Sequence, residues 1–163
     1  MVPFSTVERK SPKPSRREIE LSKVIREALT PALILEDFPE MGVDVYIEVL
    51  QAAGSTRVAS VTAAALALAD AGLPMRDLVA GCSAGKVEGR IVVDLNDEED
   101  KTGEADVALA IMPTLGKVTL LQMDGNLTSE EFISAFEKAK KGALTLHKAQ
   151  VQVLKEKIES MRT

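Results

Sequence analysis

Gly54-Ser55-Thr56-Arg57 stands where an alternating apolar segment gives way to helical spacing. A glycine there lets backbone approach a ligand closely. The unpaired N–H groups and positive end of the following helix favour an anion, and an arginine fork matches phosphate oxygens two at a time. The same four residues also fit a plain helix start, with Ser55 or Thr56 as the cap and Arg57 solvated. Arg16 and Arg17 fall in the first turn of another predicted helix, where cations oppose the macrodipole at a cost of ~0.3–1 kcal/mol each. A tandem arginine in that unfavourable place suits a phosphate partner or simple solvation. Asp100 and Asp106 lie at the end of an acidic run. Two carboxylates brought together can hold Mg²⁺ or divide acid and metal roles; apart, they belong to a solvated loop. An EF-hand is excluded, because Glu99 stands where that loop needs Gly and Ala105 where it needs the bidentate Glu. Cys82 falls in an apolar strand and reads as inert core, and His147, the only histidine, reads as a packing or surface residue. The chain has no Ser/His/Asp set, CxxC pair, Walker loop or GxGxxG.

The elements that must position these residues follow from periodicity. Ser15 and Glu18 form a capping box before Leu21, Val24, Ile25 and Ala28, which predicts a helix over 16–29. Val43, Val45, Ile47 and Val49 alternate with polar residues, which predicts a half-buried strand. An Ala-rich helix runs from about Val58 to Gly72, its small residues suited to lying close against a sheet. Leu78–Ser83 and Arg90–Leu95 read as strands joined by a tight turn, and 96–104 as an acidic loop. Ala105–Met112 and Lys117–Met123 form a hairpin about Thr114-Leu115-Gly116. Thr128 and Glu131 make a second capping box, opening a long helix with Gly142 as a weak point and a frayed end over about 150–163. The pattern is α+β, one mixed sheet with helices packed on it.

A length of 163 residues, 45% apolar and 28% charged, fits one globular domain. One cysteine excludes a disulfide scaffold and suits a reducing, cytoplasmic setting. The longest apolar stretch, Val58 to Ala71, is interrupted by Ser60, Thr62 and Asp70, and is shorter than the ~20 residues a membrane span needs. The opening residues hold no signal-peptide block. The net charge of −5 argues against generic nucleic-acid coating. Its distribution is uneven. Arg9, Lys10, Lys13, Arg16 and Arg17 face only Glu8 in the first 17 residues, whereas 94–106 carries seven carboxylates against Lys101. The two regions either meet around a polyanion and a metal or solubilise separate surfaces.

In order, SRREIELSKVIREAL, VLQA with GSTR and TAAALALADAG, PMRDLVAG, EED with GEAD, and MPTLGKVTLLQMDG resemble the RNase PH family, most of all the catalytic-type subunit of the archaeal exosome. The resemblance runs from Met1 to about residue 150 and implies an RNase PH-like fold of the ribosomal protein S5 domain 2-like kind. It also implies a phosphate-dependent 3′-to-5′ exoribonuclease that releases nucleoside diphosphates, the reverse reaction adding 3′ tails. The implied partners are RNA, a catalytically silent sister subunit in a hexameric ring of three heterodimers, and RNA-binding cap subunits. Carried over by position, Gly54, Ser55, Thr56 and Arg57 hold inorganic phosphate, and Arg16 and Arg17 hold RNA phosphates. Asp100 and Asp106 form the acidic pair, Asp100 as the acid and Asp106 on Mg²⁺.

Two departures accompany the resemblance. Ala53 stands where the family carries Asp before the phosphate turn. Family chains also begin well before the position of Met1, so the expectation is one RNase PH-like domain over 1–163 that lacks its N-terminal third. The competing functions are a ring subunit that binds RNA without cleaving it, and a small phosphate- or nucleotide-binding module. Retention of both GSTR and Asp100/Asp106 favours the enzyme.

Overall fold

The computed structural model describes residues 13–161. Helix α1 spans Arg16–Leu29, and its capping box is complete: Glu18 N–H donates to Ser15 Oγ while Ser15 N–H donates to the Glu18 carboxylate. Helix α2 spans Thr56–Asp70. Strands β1 (Ala80–Val87) and β2 (Arg90–Val93) join through Glu88 and Gly89, both at positive φ, the geometry of a two-residue hairpin turn. Helix α3 (Asp97–Thr102) precedes the hairpin of β3 (Ala105–Met112) and β4 (Lys117–Gly125), and α4 runs over Ser129–Ser160.

The sheet order is β2-β1-β3-β4 and every pairing is antiparallel. Alternation along β3 sorts side chains to two faces. Ala110, with Leu120 of β4, packs against Ala28 and Leu29 of α1 and Val61, Ala65 and Leu68 of α2. Val107, Leu109 and Ile111, with Ala80, Cys82 and Ala84 of β1, pack against Ala135, Ala139 and Ala143 of α4. Buried Gln150 ties the layers together, its Nε2 donating to the carbonyls of Thr62 at 2.9 Å and Val79 at 3.1 Å. Buried Asp77 accepts from the N–H groups of Thr114 at 2.7 Å and Leu115 at 3.0 Å, which pins the β3–β4 turn to the start of β1.

Four expectations from sequence change. Residues 43–49 alternate as a strand should but pair with no strand among the described residues. Val43 and Val45 are each 41% exposed, Ile47 rests against the core, and the segment walls a groove of about 1420 Å³ beside α1. Without that strand the sheet is antiparallel rather than mixed. The acidic segment is not all loop: Asn96 accepts from Glu98 and Glu99 N–H and Glu99 reaches back to Asn96 N–H, so a third capping box starts α3. Gly142 is no weak point either, because α4 passes through it unbroken.

Gly142 instead permits close packing. A Cβ there would sit 2.5 Å from Cys82 Sγ. Gly142→Ala gains ~1 kcal/mol of helix propensity but overpacks the core at a cost of ~1–3 kcal/mol. Melting of the single variant should therefore show a net loss of up to ~2 kcal/mol. In a Cys82→Ala background, where the sulfur is gone, the same change should shift towards stabilising. An equal loss in both backgrounds would rule out the sulfur contact as its cause.

Candidate active site

The site lies where the first turn of α2 meets the ends of β1, β3 and β4. Gly54 has φ +99°, and a Cβ on it would fall 2.2 Å from the carbonyl oxygen of Leu95 and 2.9 Å from the backbone of Asn96. The Gly54–Arg57 turn is thus seated on the backbone that leads into the acidic segment. Ser55 follows at φ +50°, a left-handed conformation that costs a non-glycine residue about 1 kcal/mol or more. It is the N-cap residue of α2 by position, yet no side chain caps this helix. The Ser55 hydroxyl turns to Ser83 Oγ at 2.5 Å, with Leu95 O at 3.3 Å. The capping alternative therefore fails for this turn, and among the described residues no side-chain oxygen accepts from the first N–H groups of α2.

Arg57 is not solvated. Its side chain is 28% exposed, one guanidinium nitrogen lies 3.3 Å from Glu20 Oε1 of α1, and its Nε is buried without a partner. Asp106 sits at the start of β3, in register with Gly85 on one side and Asp124 on the other. Burial pushes its carboxyl above the ordinary carboxylate range, and the charge of Asp100 pushes further. Arg57 pulls in the opposite direction, Asp124 adds a smaller upward push, and an N–H bond from Val107 opposes it. Asp100 is exposed on α3. Arg57, Asp100, Asp106 and Asp124 thus form one electrostatic group.

Lys86 braces this end of the sheet. Its Nζ lies 2.8 Å from Glu104 and 3.0 Å from Glu131. The hydrogen bonds Lys86 donates to both carboxylates raise its pKa. Lys86 in turn lowers that of Glu104, and the Thr128 N–H and then Lys86 lower that of Glu131. Glu104 also accepts from Gly89 N–H at 2.9 Å, which fixes the entry to β3 two residues before Asp106.

Of the residues singled out from sequence, the structure brings Gly54, Ser55, Thr56, Arg57, Asp100 and Asp106 to one end of the sheet. Arg17 lines the groove that Thr56 also lines. Arg16 is exposed at the start of α1, and no contact draws it to the acidic pair. Cys82 is buried, its thiol pushed up mainly by burial, as an inert core residue should be. His147 is half-buried on α4 with Nδ1 unpartnered, away from the site elements. Glu20, Ser83, Lys86 and Asp124 were not singled out from sequence. Only Asp124 left a signal there, since the predicted hairpin carries it back towards Asp106.

The donor set for a metal is small: among the described residues no group of three or more His, Cys, Asp or Glu side chains is placed to hold an ion. Asp100 and Asp106 suit Mg²⁺, which commonly takes one or two carboxylates together with substrate phosphates. The mutual repulsion at Asp106 is what a cation would relieve. No described helix is long and apolar enough to cross a membrane.

Models of both domains of the 3′ exoribonuclease family match the chain, domain 1 over residues 1–74 and domain 2 over 77–142. The chain belongs to that family. It is similar to the protein named exosome complex component Rrp41 in Pyrococcus furiosus, 66% identical over 157 residues, which cover 96% of this chain and 63% of the relative. The protein of that name in Nitrosopumilus maritimus is 55% identical over the same length, covering 64% of that relative. The chain spans less than two thirds of the length of these relatives. Among solved structures, rice Rrp46 superposes with a TM-score of 0.80 at 19% identity, covering 88% of this chain and 68% of the other. That likeness shows the fold, and the RNase PH-like α+β architecture expected from the resemblance is the one found.

The Asp106 carboxyl yields a test of this electrostatic group. Its folded pKa lies above the unfolded one, so the folded chain holds the proton more tightly. Stability contributed by this group is therefore lost as pH rises from the unfolded carboxylate range through the folded pKa, and the loss persists above it. Asp106→Asn removes that loss. In melts from about pH 4 to about pH 8, the variant should gain on the wild type as pH rises and be the more stable near neutrality. A variant that loses ground with rising pH would mean that Arg57 attraction, not burial and repulsion, dominates at Asp106.

Proposed function

We propose that the chain is the catalytic-type subunit of a phosphorolytic 3′-to-5′ exoribonuclease of the archaeal exosome kind, releasing nucleoside diphosphates from RNA. The observation that carries this is the seating of the Gly54–Arg57 turn on Leu95 and Asn96. It puts an uncapped helix start and an arginine with a free buried Nε beside the Asp100/Asp106 pair. An anion site and an acid site in one cleft are what phosphorolysis requires.

In this reading inorganic phosphate binds at the start of α2, held by backbone N–H groups and the Arg57 fork. A phosphate oxygen attacks the phosphorus of the last RNA linkage. The new P–O bond forms as the bond to the 3′-oxygen of the preceding nucleotide breaks, leaving RNA one residue shorter and a nucleoside diphosphate. Exposed Asp100 gives a proton to the departing 3′-oxygen, and Asp106, the more buried and repelled carboxylate, would hold Mg²⁺. When bound, that ion would neutralise charge gathering on the transferring phosphoryl group. Arg16 and Arg17 hold RNA phosphates upstream, the second from the wall of the groove. The partners are RNA, a sister RNase PH-like subunit in a hexameric ring and RNA-binding caps, in a cytoplasmic setting.

Asp100→Asn keeps shape but removes acid function. It should reduce phosphate-dependent release of nucleoside diphosphates by at least the ~10²–10⁴-fold usual for a general acid, with RNA affinity nearly intact. The assay follows product formation with and without inorganic phosphate. Wild-type rates in Asp100→Asn would remove it from the acid role, and decay indifferent to phosphate would defeat phosphorolysis altogether.

A second test addresses the arginines. Contacts to phosphates are blind to base identity, and each one lost on a single strand lowers the slope of log K against log salt by roughly 0.7. Arg16→Ala/Arg17→Ala should weaken binding of all RNA sequences alike and flatten the salt dependence, while the α1 N-terminus loses nothing through its dipole. Affinities measured over a salt series decide between this and a solvated surface, for which slope and affinity stay put.

A further inference from the structure

We propose that Ser83 is a positioning residue for the anion site: it donates to Ser55 Oγ and thereby leaves the Ser55 proton for a phosphate oxygen. This rests on the phosphate site described above and assigns a hydrogen-bonding role behind it.

Ser83 lies on β1 and is 3% exposed. The strand pleat turns it, with Gly81 and Gly85, to the face that carries α2, where Gly81 N–H donates to Thr62 Oγ1. Its hydroxyl meets Ser55 Oγ at 2.5 Å, across 28 residues of sequence. Only one proton can lie between the two oxygens, and geometry at Ser55 chooses which. Ser55 Oγ is also 3.3 Å from Leu95 O, and a carbonyl only accepts. If Ser55 donated to Ser83, the contact with Leu95 would set two acceptor oxygens face to face with no proton between them. If Ser83 donates, both contacts are satisfied: Ser83 to Ser55, then Ser55 to Leu95. Ser83 Oγ has no other partner among the described residues, so nothing competes for its proton.

The bond to Leu95, at 3.3 Å, is longer than an O–H···O bond usually is and correspondingly weak. An anionic phosphate oxygen is the stronger acceptor and would draw the Ser55 proton away from Leu95. Accepting from Ser83 also polarises the Ser55 hydroxyl and improves it as a donor. The left-handed backbone at Ser55 is the cost of aiming that hydroxyl at the sheet rather than at its own helix. A serine that merely capped α2 would need neither the strain nor Ser83.

The test measures phosphate binding apart from catalysis. The full chain is melted over a series of inorganic phosphate concentrations, and phosphorolysis of a short RNA is followed against phosphate in parallel. Ser83→Ala should weaken phosphate about three- to tenfold in both readouts, the loss of one hydrogen bond. The turnover rate at saturating phosphate and the RNA affinity should stay within about twofold. Ser83→Thr, which restores a hydroxyl, should recover phosphate affinity. In a Ser55→Ala background Ser83→Ala should add nothing, because Ser83 acts only through Ser55. Equal phosphate affinity in wild type and Ser83→Ala would overturn the proposal while leaving the phosphate site standing. An additive loss in the Ser55→Ala background would overturn it too, by making Ser83 a packing residue. If the wild type itself shows neither phosphate-dependent melting nor phosphate-dependent decay, the phosphate site fails first and this inference with it.

Discussion

The contact of Gly54 with Leu95 and Asn96 is the constraint on which the site depends. No side chain fits between those backbones. Their closeness brings the first turn of α2 onto the segment that becomes α3 and then β3. Asn96 serves both sides of the contact: its backbone meets Gly54, and its side chain caps α3. The sheet beneath is equally tight, since a Cβ on Gly85 would fall 2.3 Å from Ala105 O and 2.9 Å from a Leu95 methyl. Backbone packed on backbone gives a stiffer frame than long side chains would, because there are few rotamers to lose or exchange. A catalytic constellation on such a frame keeps its distances without help from the substrate.

The charges on that frame are arranged against stability. Asp106 is half-buried, pushed by Asp100 and Asp124, and only partly answered by Arg57, which also pairs with Glu20. A fold selected for stability alone would not set Asp124 in register with Asp106, since like charges directly opposite on a sheet repel. The arrangement makes sense if the field is balanced by something that arrives: a cation for the carboxylates, an anion for Arg57 Nε and the start of α2. On the proposed reading a bound cation and anion would complete the charges that the resting chain leaves short of partners.

The sequence made the local parts of this legible and hid the long-range ones. The capping boxes at Ser15 and Thr128 follow from chemistry within four residues, and both helices begin where those boxes place them. The third box, Asn96 with Glu99, follows the same rule but was masked by the density of acidic residues around it. The alternation in 43–49 is real, yet a strand is defined by its neighbour, and alternation alone does not supply one. Residue types and spacing marked Gly54, Arg57, Asp100 and Asp106. For Ser55 the residues alone leave both capping and an anion turn open, because the partner that takes its hydroxyl, Ser83, comes from a strand whose register no local pattern reveals. The family resemblance joined the three motifs, whereas Glu20 and Lys86 act through pairings visible only in the folded chain.

The acidic run itself shows how structure and function share one stretch of sequence. Its seven carboxylates are not equivalent. Asp97 pairs with Lys101, Glu104 with Lys86, and Glu99 closes the capping box of α3. These three are engaged in folding the segment. Among the described residues Asp94, Glu98, Asp100 and Asp106 have no side-chain partner of opposite charge within bonding distance, and of these four only Asp106 is withdrawn from solvent. A solubilising loop would have left all seven exposed and would not have spent Lys86, the one lysine of β1, on bracing the strand that carries Asp106. Pairing Asp97 and Glu104 with lysines and holding Glu99 in the α3 capping box leaves Asp100 and Asp106 to set the field beside Arg57. On the proposed reading the same stretch does both: Asp97, Glu99 and Glu104 fold the segment, and the acidity beside Arg57 at Asp106 serves the site.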